Sequence, residues 1–214
     1  EQLKKLNEEL STLETQFDEI LLKGRAAAGV FVDKKEQLDG LSDEEIAAAA
    51  EAAKAKGKEG QWLIEIVNTT TQPVLASLKD RALRERIYKA SIARNNGGAN
   101  DSKATIARLA QLRAQKARLL GFPNWAAYVM DDQMARTPES ALKLLAGLAP
   151  AAARNAKAEA DKLQALIDKQ KGGFQLEPWD WDFYSEQVRK TEHDLDEAAI
   201  RPYLEFDSVL VNGV

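Results

Sequence analysis

The first twenty residues carry apolar side chains at alternating spacings of three and four residues. The apolar positions are Leu3, Leu6, Leu10, Leu13, Phe17 and Ile20. This heptad-like spacing predicts a helix that presents one narrow apolar stripe to a partner helix. The pattern stops at Gly24, well short of a free coiled coil, so we expect a short antiparallel pairing with a helix of the same molecule.

Further stretches carry the signals that begin and end helices. Ser42, with Glu45 three residues later, has the spacing of a capping box, and the alanine-rich stretch that follows ends at Gly57. Helical patterns also run from Pro73 to a break at residues 95–98 and resume from residue 100 or 101 to Leu120. The first half of the chain is therefore predicted to be mostly helical.

The longest helical pattern begins in the second half of the chain. Thr137 and Pro138 have the positions of a cap and a first-turn proline, and the pattern continues to Lys171. Pro150 lies inside it, where a proline removes one backbone hydrogen bond. We therefore expect either a kink or two helices that meet at Pro150.

Two more helices and two strands complete the predicted elements. One helix opens around residues 179–184 with Asp180 as its cap, and a short one follows near residues 195–204. Residues 29–32 and 62–67 have the β-branched composition of strands. The predicted fold class is mainly α, a multi-helix bundle with at most one small strand pair.

We divide the chain after residue 60. Residues 1–60 are predicted to form a helical hairpin that contains the heptad-like first helix, and residues 61–214 are predicted to form a helical bundle. Glu1 is not a methionine, and the other end stops in an apolar run without a cap. We therefore expect the sequence to be a piece of a longer protein.

Composition narrows the classes of function. The 214 residues carry a net charge of −4, with 44% hydrophobic and 30% charged residues, which is the balance of a soluble folded chain. No apolar run approaches the roughly 18 residues of a membrane span, so we expect no membrane partner. The absence of cysteine excludes disulfides, thiol nucleophiles and thiolate metal sites, and it fits a cytoplasmic location.

Candidate metal chemistry is limited by a single histidine, His193. One histidine excludes a two-histidine zinc site and argues against a Ser-His-Asp triad. Its acidic neighbours at residues 191–197 do not converge on one point, so a solvated histidine at a helix end is favoured over a metal ligand. A calcium site is suggested by the acidic residues Asp180, Asp182 and Glu186. The glycine that an EF-hand loop needs is missing, so we favour helix capping and surface solvation as the roles of these residues.

Charge is uneven along the chain. Residues 81–120 contain ten basic and two acidic side chains, whereas the stretches on both sides are acidic. The basic block could form an anion-binding face, or its helices could pair with the acidic helices around them. We favour pairing and expect no nucleic-acid partner, because the whole chain is negative. The aromatic residues at 179–184 could line a groove, but we favour a role as core anchors.

Several stretches together resemble one family. They lie at residues 60–63, 68–75, 81–88, 112–128, 132–138, 178–184, 195–197 and 201–203. Their residues and order resemble the thimet oligopeptidase family of zinc metallopeptidases, and most closely its bacterial peptidyl-dipeptidase branch. Asn-Thr-Thr with Gln-Pro-Val-Leu at 68–75 favours that branch over the oligopeptidase A branch. The resemblance extends from Leu41 to Val214, and the first helix fits less specifically.

The resemblance implies a helical molecule with a deep channel that admits short peptides, in which residues 61–214 form part of the channel wall. It also implies zinc held by an H-E-x-x-H helix and a further glutamate, with the motif glutamate as general base. The motif does not occur in this sequence, which has one histidine. No catalytic, cofactor-binding or metal-binding residue is therefore assigned. The expected function is an inactive scaffold portion of a peptidyl-dipeptidase, whose zinc and catalytic half lie C-terminal to this region. Its expected compartment is the cytoplasm, with the periplasm as the alternative.

Short peptides would be the substrates of the complete enzyme. A dipeptide-releasing enzyme holds a C-terminal carboxylate, for which arginine is well suited. The basic block motivates the hypothesis that Arg81 or Arg94 faces the channel, with interhelical pairing as the ordinary alternative. The alternative function is a stand-alone helical module that binds a protein partner through its apolar stripe or basic face.

Overall fold

A computed structural model of the chain describes residues 1–67 and 70–193, together with Tyr203, Phe206 and Leu210. Within these residues the chain is mainly α with one small strand pair, so the predicted fold class is confirmed. The elements are α1 (Gln2–Ala27), β1 (Val30–Val32), α2 (Asp43–Ala55), β2 (Trp62–Ile64), α3 (Arg81–Ile92), α4 (Lys103–Leu119), α5 (Trp125–Met130), α6 (Pro138–Lys169) and α7 (Trp181–His193). None of the described helices combines the length and hydropathy needed to cross a membrane.

The apolar stripe of α1 packs along α4, and the two helices run antiparallel. The buried cluster between them consists of Leu6, Leu10, Leu109 and Leu112. Near the other end of α1, the side chain of Asn95, which precedes α4, donates from Nδ2 to the carbonyl oxygen of Ile20 over 2.8 Å. A Cβ at Gly24 would overlap this asparagine, so the stripe stops where another segment comes into close contact. The expected intramolecular pairing is thus found.

Ion pairs flank the contact between α1 and α4. Arg108 places Nη2 2.6 Å from Oε1 of Glu9, and Arg113 places Nη2 3.0 Å from Oε1 of Glu14. Both pairs lie at the surface, where each contributes at most about 1 kcal/mol. The basic block therefore pairs here with an acidic helix, which is the alternative favoured from the charge pattern.

β1 and β2 pair antiparallel, with Val30 opposite Ile64 and Val32 opposite Trp62. β2 ends at Ile64, earlier than the predicted residue 67, although Ile66 is still buried. Together with one face of α2 and of α3, the strand pair encloses the largest apolar cluster of the described residues. The strands therefore serve as a wall of the core.

The local signals at the start of α2 are confirmed. The backbone N–H of Ser42 donates to Oε2 of Glu45 over 2.8 Å, and the N–H of Glu45 donates to Oγ of Ser42 over 3.2 Å. This is the predicted capping box. The helix ends at Ala55, two residues before the expected Gly57.

Contacts cross the boundary predicted after residue 60. β1 and β2 lie on opposite sides of it, and α1 has its main partner in α4 and not in α2. The helical hairpin expected for residues 1–60 is therefore not how α1 packs, because its apolar stripe faces the leucines of α4. The division of the chain into two domains stays a prediction.

α6 is one helix that continues through Pro150, so the alternative of two helices meeting there is wrong. Thr137 caps it as predicted, with Oγ1 accepting from the N–H of Ser140 over 3.2 Å. Its first half carries leucines that are 59–65% exposed, which we call the α6 leucine patch. The patch consists of Leu142, Leu144, Leu145 and Leu148.

The second half of α6 packs against α7. Leu163 and Ile167 form a buried cluster with Tyr184 of α7, and other aromatic side chains of α7 pack against it. Trp181, Phe183 and Tyr184 therefore contribute to a hydrophobic core, which is the role that the sequence analysis favoured for the aromatic residues at 179–184. Apart from Tyr203, the helix predicted near 195–204 lies outside the described residues, and so does the side chain of His193.

Candidate functional site

A cleft lies between residues 70–75, the C-terminal half of α3, α6 and the residues that lead into α7. Its volume is about 480 Å³, within the roughly 300–1,000 Å³ range of small-molecule sites. It is lined by Thr70, Thr71, Gln72, Leu75, Tyr88, Ser91, Ile92, Ala160, Leu176, Glu177, Pro178, Trp181 and Asp182. We call it the α3–α7 cleft.

Gln72 fixes the loop side of the cleft to α3. Its side chain is 2% exposed. Oε1 accepts from the backbone N–H of Val67 over 3.0 Å, and Nε2 donates to Oγ of Ser91 over 3.1 Å. A buried amide is stable only when it is hydrogen-bonded, so these bonds position the segment that begins the turn of 3-10 helix at Pro73–Ala76.

Asp182 stands in the first turn of α7, half-buried in the wall of the cleft. Its carboxylate forms no hydrogen bond or ion pair with any residue that the structure describes. Burial raises the pKa of the Asp182 carboxyl above its ordinary value, because water solvates the anion less well there. The cleft thus holds an incompletely hydrated acidic group that has no partner in the part of the chain that the structure describes.

A buried ion cluster lies beside the cleft, where α3 meets the start of α7. Asp180 is completely buried between Arg84, which is 1% exposed, and Arg81, which is 33% exposed. Nη2 of Arg84 donates to Oδ1 over 2.8 Å, and Nη2 of Arg81 donates to Oδ2 over 2.9 Å. Nε of Arg81 lies 3.1 Å from both oxygens. We call these three residues the Arg–Asp–Arg cluster.

Aromatic rings and carbonyl groups complete the environment of the two arginines. The guanidinium of Arg81 lies 4.0 Å from the ring centroid of Phe174, and that of Arg84 lies 4.2 Å from the ring of Phe183. Arg84 also donates to the carbonyl oxygens of Trp179, Leu78 and Lys79 over 3.2, 2.9 and 3.1 Å. The cluster is therefore a structural junction in which two guanidinium groups share one carboxylate and keep a net charge of +1.

The charges of the Arg–Asp–Arg cluster also affect the pKa of Tyr184 in α7. Burial raises the pKa of its phenol, the positive charge of Arg84 opposes that change, and the negative charge of Asp180 adds to it. The phenol therefore stays protonated at neutral pH. Its ring packs edge-to-face on Phe183, with centroids 5.2 Å apart.

The two arginines proposed for the channel are not brought together. Arg81 begins α3 and Arg94 follows its end, so helix rise alone separates them by roughly 20 Å. Nε of Arg94 donates to the carbonyl oxygen of Ser91 over 2.8 Å. Arg81 forms an ion pair with Asp180, which agrees with interhelical pairing, the alternative to a channel role. Whether either arginine faces a channel stays a prediction.

Sequence reasoning missed the roles of Asp180 and Asp182. Asp180 was expected to cap the helix that opens at 179–184, but its Oδ2 accepts from the preceding backbone N–H of Glu177 over 3.2 Å, as the last residue of the 3-10 turn Pro178–Asp180. Its main partners, however, are two arginines almost a hundred residues away along the chain. The available signal was the spacing of Arg81 and Arg84, which places both on one face of a helix.

The residues of this chain do not fit a zinc centre. Among the described residues no group of three or more His, Cys, Asp or Glu side chains could hold a metal ion. The whole sequence contains one histidine and no cysteine, whereas the implied zinc motif needs two histidines. We therefore assign no catalytic step to a metal held by these residues.

Comparison with known proteins gives a consistent set of relatives. A model of Peptidase family M3 matches residues 74–214. Dipeptidyl carboxypeptidase of Escherichia coli (strain K12) is 50% identical over 213 residues, which is 99% of this chain and 31% of that protein. Dipeptidyl carboxypeptidase of Salmonella typhimurium (strain LT2) is 46% identical over the same shares. Oligopeptidase A of Escherichia coli is 30% identical over 96% of this chain and 31% of that protein. The chain thus spans about 31% of the length of these curated relatives.

Proposed function

Because the chain belongs to peptidase family M3, we propose that it is part of a zinc metallopeptidase that releases dipeptides from the C-termini of short peptides. The observation that carries this proposal is the 50% identity to a dipeptidyl carboxypeptidase over 99% of the chain. Identity to oligopeptidase A is lower, at 30% over a similar span. The difference favours dipeptide release over the activity of the oligopeptidase A branch.

In this proposal the chain is scaffold and substrate-channel wall, inactive when isolated. Zinc and its ligands belong to the complete enzyme, and short peptides are its substrates. The Arg–Asp–Arg cluster supports a scaffold role, because the buried carboxylate of Asp180 joins the start of α7 to two arginines of α3. We also propose the cytoplasm as its compartment, on the support of a sequence without cysteine.

The test begins with the gene. The reading frame beyond Val214 should encode H-E-x-x-H and a later glutamate. The complete protein should release dipeptides from peptides with a free C-terminus and not from their C-terminal amides, while the chain 1–214 alone should release none. A chelator should abolish release and added zinc should restore it. A stop codon near Val214, or cleavage independent of a free C-terminus, would contradict the proposal.

The hypothesis that an arginine holds the substrate carboxylate is tested in the same enzyme. Arg81→Ala and Arg94→Ala should raise KM for free-acid peptides. Arg81 also pairs with Asp180, so its variant needs a parallel measurement of stability. Unchanged dipeptide release in both folded variants would end this hypothesis.

A second candidate is a stand-alone helical module that binds a protein partner. The α6 leucine patch offers a contact surface for such a partner, since four neighbouring leucines on one helix are 59–65% exposed, but the same patch would also cause a portion of a larger enzyme to self-associate. Analytical ultracentrifugation separates the two candidates. A module should remain a single species and bind a partner at defined stoichiometry, whereas a portion of a larger enzyme should self-associate without a defined size.

A further inference from the structure

We propose that the α3–α7 cleft binds a primary ammonium group on an apolar stem, as presented by the side chain of a peptide lysine, with Asp182 as the anionic partner. The inference concerns ligand binding by this chain. It does not depend on the proposed peptidase function.

The shape and lining of the cleft suit the stem of such a ligand. Its volume of about 480 Å³ admits a side chain with room for water. Leu75, Ile92 and Leu176 give apolar surface for methylene groups, while Tyr88 and Trp181 add two aromatic rings. Aromatic faces attract cations as well as apolar groups, so the same wall serves both parts of a lysine side chain.

The charge of the cleft selects a cation. Among the described residues that line it, the charged ones are Glu177 and Asp182, and both are acidic. Asp182 has no partner among the described residues, and burial raises the pKa of its carboxyl. A ligand ammonium would supply the missing counter-charge, and hydrogen bonds between ionised groups are the strongest of their kind.

An organic cation fits better than a metal ion. No group of three or more potential metal ligands occurs in the part of the chain that the structure describes, and hard cations need about six oxygen ligands. An ammonium has three donors, and the residues that line the cleft include Asp182, Thr70 and Thr71, whose side chains carry oxygen acceptors. Gln72 and Ser91 bond each other at the floor.

The test is a titration of the isotope-labelled 214-residue chain followed by NMR. The ligand is Nα-acetyl-lysine methylamide, and its neutral counterpart is Nα-acetyl-norleucine methylamide, which keeps the stem and lacks the ammonium. The lysine derivative should give saturable shifts at residues that line the cleft. The norleucine derivative should bind at least about tenfold more weakly, a difference of about 1.4 kcal/mol.

Asp182→Asn should weaken binding of the lysine derivative by a similar factor. Asp131→Asn is the matched control, because Asp131 is exposed at the end of α5, lies outside the cleft and loses the same charge. That control should bind as the unmodified chain does. Circular dichroism establishes that both variants are folded, and the norleucine comparison on the unmodified chain remains decisive if a variant is not.

n-Butylammonium separates two sources of the same chemistry. Binding equal to that of the lysine derivative supports recognition of the ammonium and its stem alone, and weaker binding supports a lysine within a peptide. Equal affinity for the lysine and norleucine derivatives would overturn the proposal. So would unchanged binding in folded Asp182→Asn, or the absence of saturable shifts at the cleft.

Discussion

Replacing Asp180 by asparagine removes the negative charge that joins α3 to the start of α7 and keeps the size of the side chain. In the folded chain both carboxylate oxygens accept hydrogen bonds, from Arg81, from Arg84 and from the backbone of Glu177. Asparagine offers one oxygen and turns a donating amide toward groups that are themselves donors. The substitution therefore leaves two guanidinium groups without a counter-charge.

The magnitude follows from how deeply each partner is buried. Removal of one member of a buried ion pair costs roughly 3–5 kcal/mol. Arg81 is 33% exposed and can recover water. Arg84 is 1% exposed but keeps its bonds to three backbone carbonyl oxygens. Both compensations place the expected loss near the lower limit, about 3 kcal/mol.

Urea unfolding followed by circular dichroism measures this loss. With a slope of about 2–3 kcal/mol per molar urea, the midpoint should fall by roughly 1 M or more. The matched control is Asp161→Asn, which removes a carboxylate from an exposed pair with Lys157 at 2.9 Å and should change stability by less than about 0.5 kcal/mol. Equal midpoints for the two variants would refute the reasoning, because the cluster would then contribute no more than a surface pair.

Three further predictions concern other parts of the chain. Asp182→Asn should be more stable than the unmodified chain at pH 7. The raised pKa of Asp182 favours folding while its carboxyl is protonated, and this contribution is lost as the pH rises through the folded pKa. In urea titrations the difference in stability between the two chains should vanish below about pH 4. Ser42→Ala should lower the free energy of unfolding by about 1 kcal/mol, because the N–H of Glu45 loses its acceptor, and an unchanged midpoint would show that the box contributes nothing. Changing Leu145 and Leu148 together to glutamine should reduce self-association in the ultracentrifuge without lowering the unfolding midpoint, since both are about 60% exposed; a large loss of stability would mean that they are buried in the free chain.

Features that depend on neighbouring residues could be predicted from the sequence. The capping box at Ser42 and Glu45 and the cap at Thr137 are set by side chains that reach only to the third residue ahead. The apolar stripe of α1 is likewise a local periodicity. Because these features depend only on residues close in sequence, they form whatever the rest of the fold is, and the structure contains them.

Features that join distant segments could not be predicted in the same way. The sequence indicates that α1 needs an apolar partner, but several helices could supply one, and α4 is chosen through Leu109 and Leu112. Asp180 shows the same limit, because a cap and a buried counter-ion have the same sequence signature. Pro150 is a different case, since a helix can absorb one missing hydrogen bond where its surface is exposed.

The number of charged residues in a stretch of sequence does not show which charges are paired in the folded chain. The basic block allowed either an anion-binding face or pairing with acidic segments, and we favoured pairing. Carboxylate partners from other segments are found for Arg81, Arg84, Arg108 and Arg113. A compensated guanidinium attracts a ligand anion weakly, because the ligand must compete with the existing partner. Asp182 is the opposite case. The acidic stretch around it gives no special signal, but its carboxylate is unpaired within the described residues. The described residues that line the α3–α7 cleft include no basic one. We therefore infer a cation ligand from the uncompensated charge of Asp182 at a cavity, and not from net charge along the sequence.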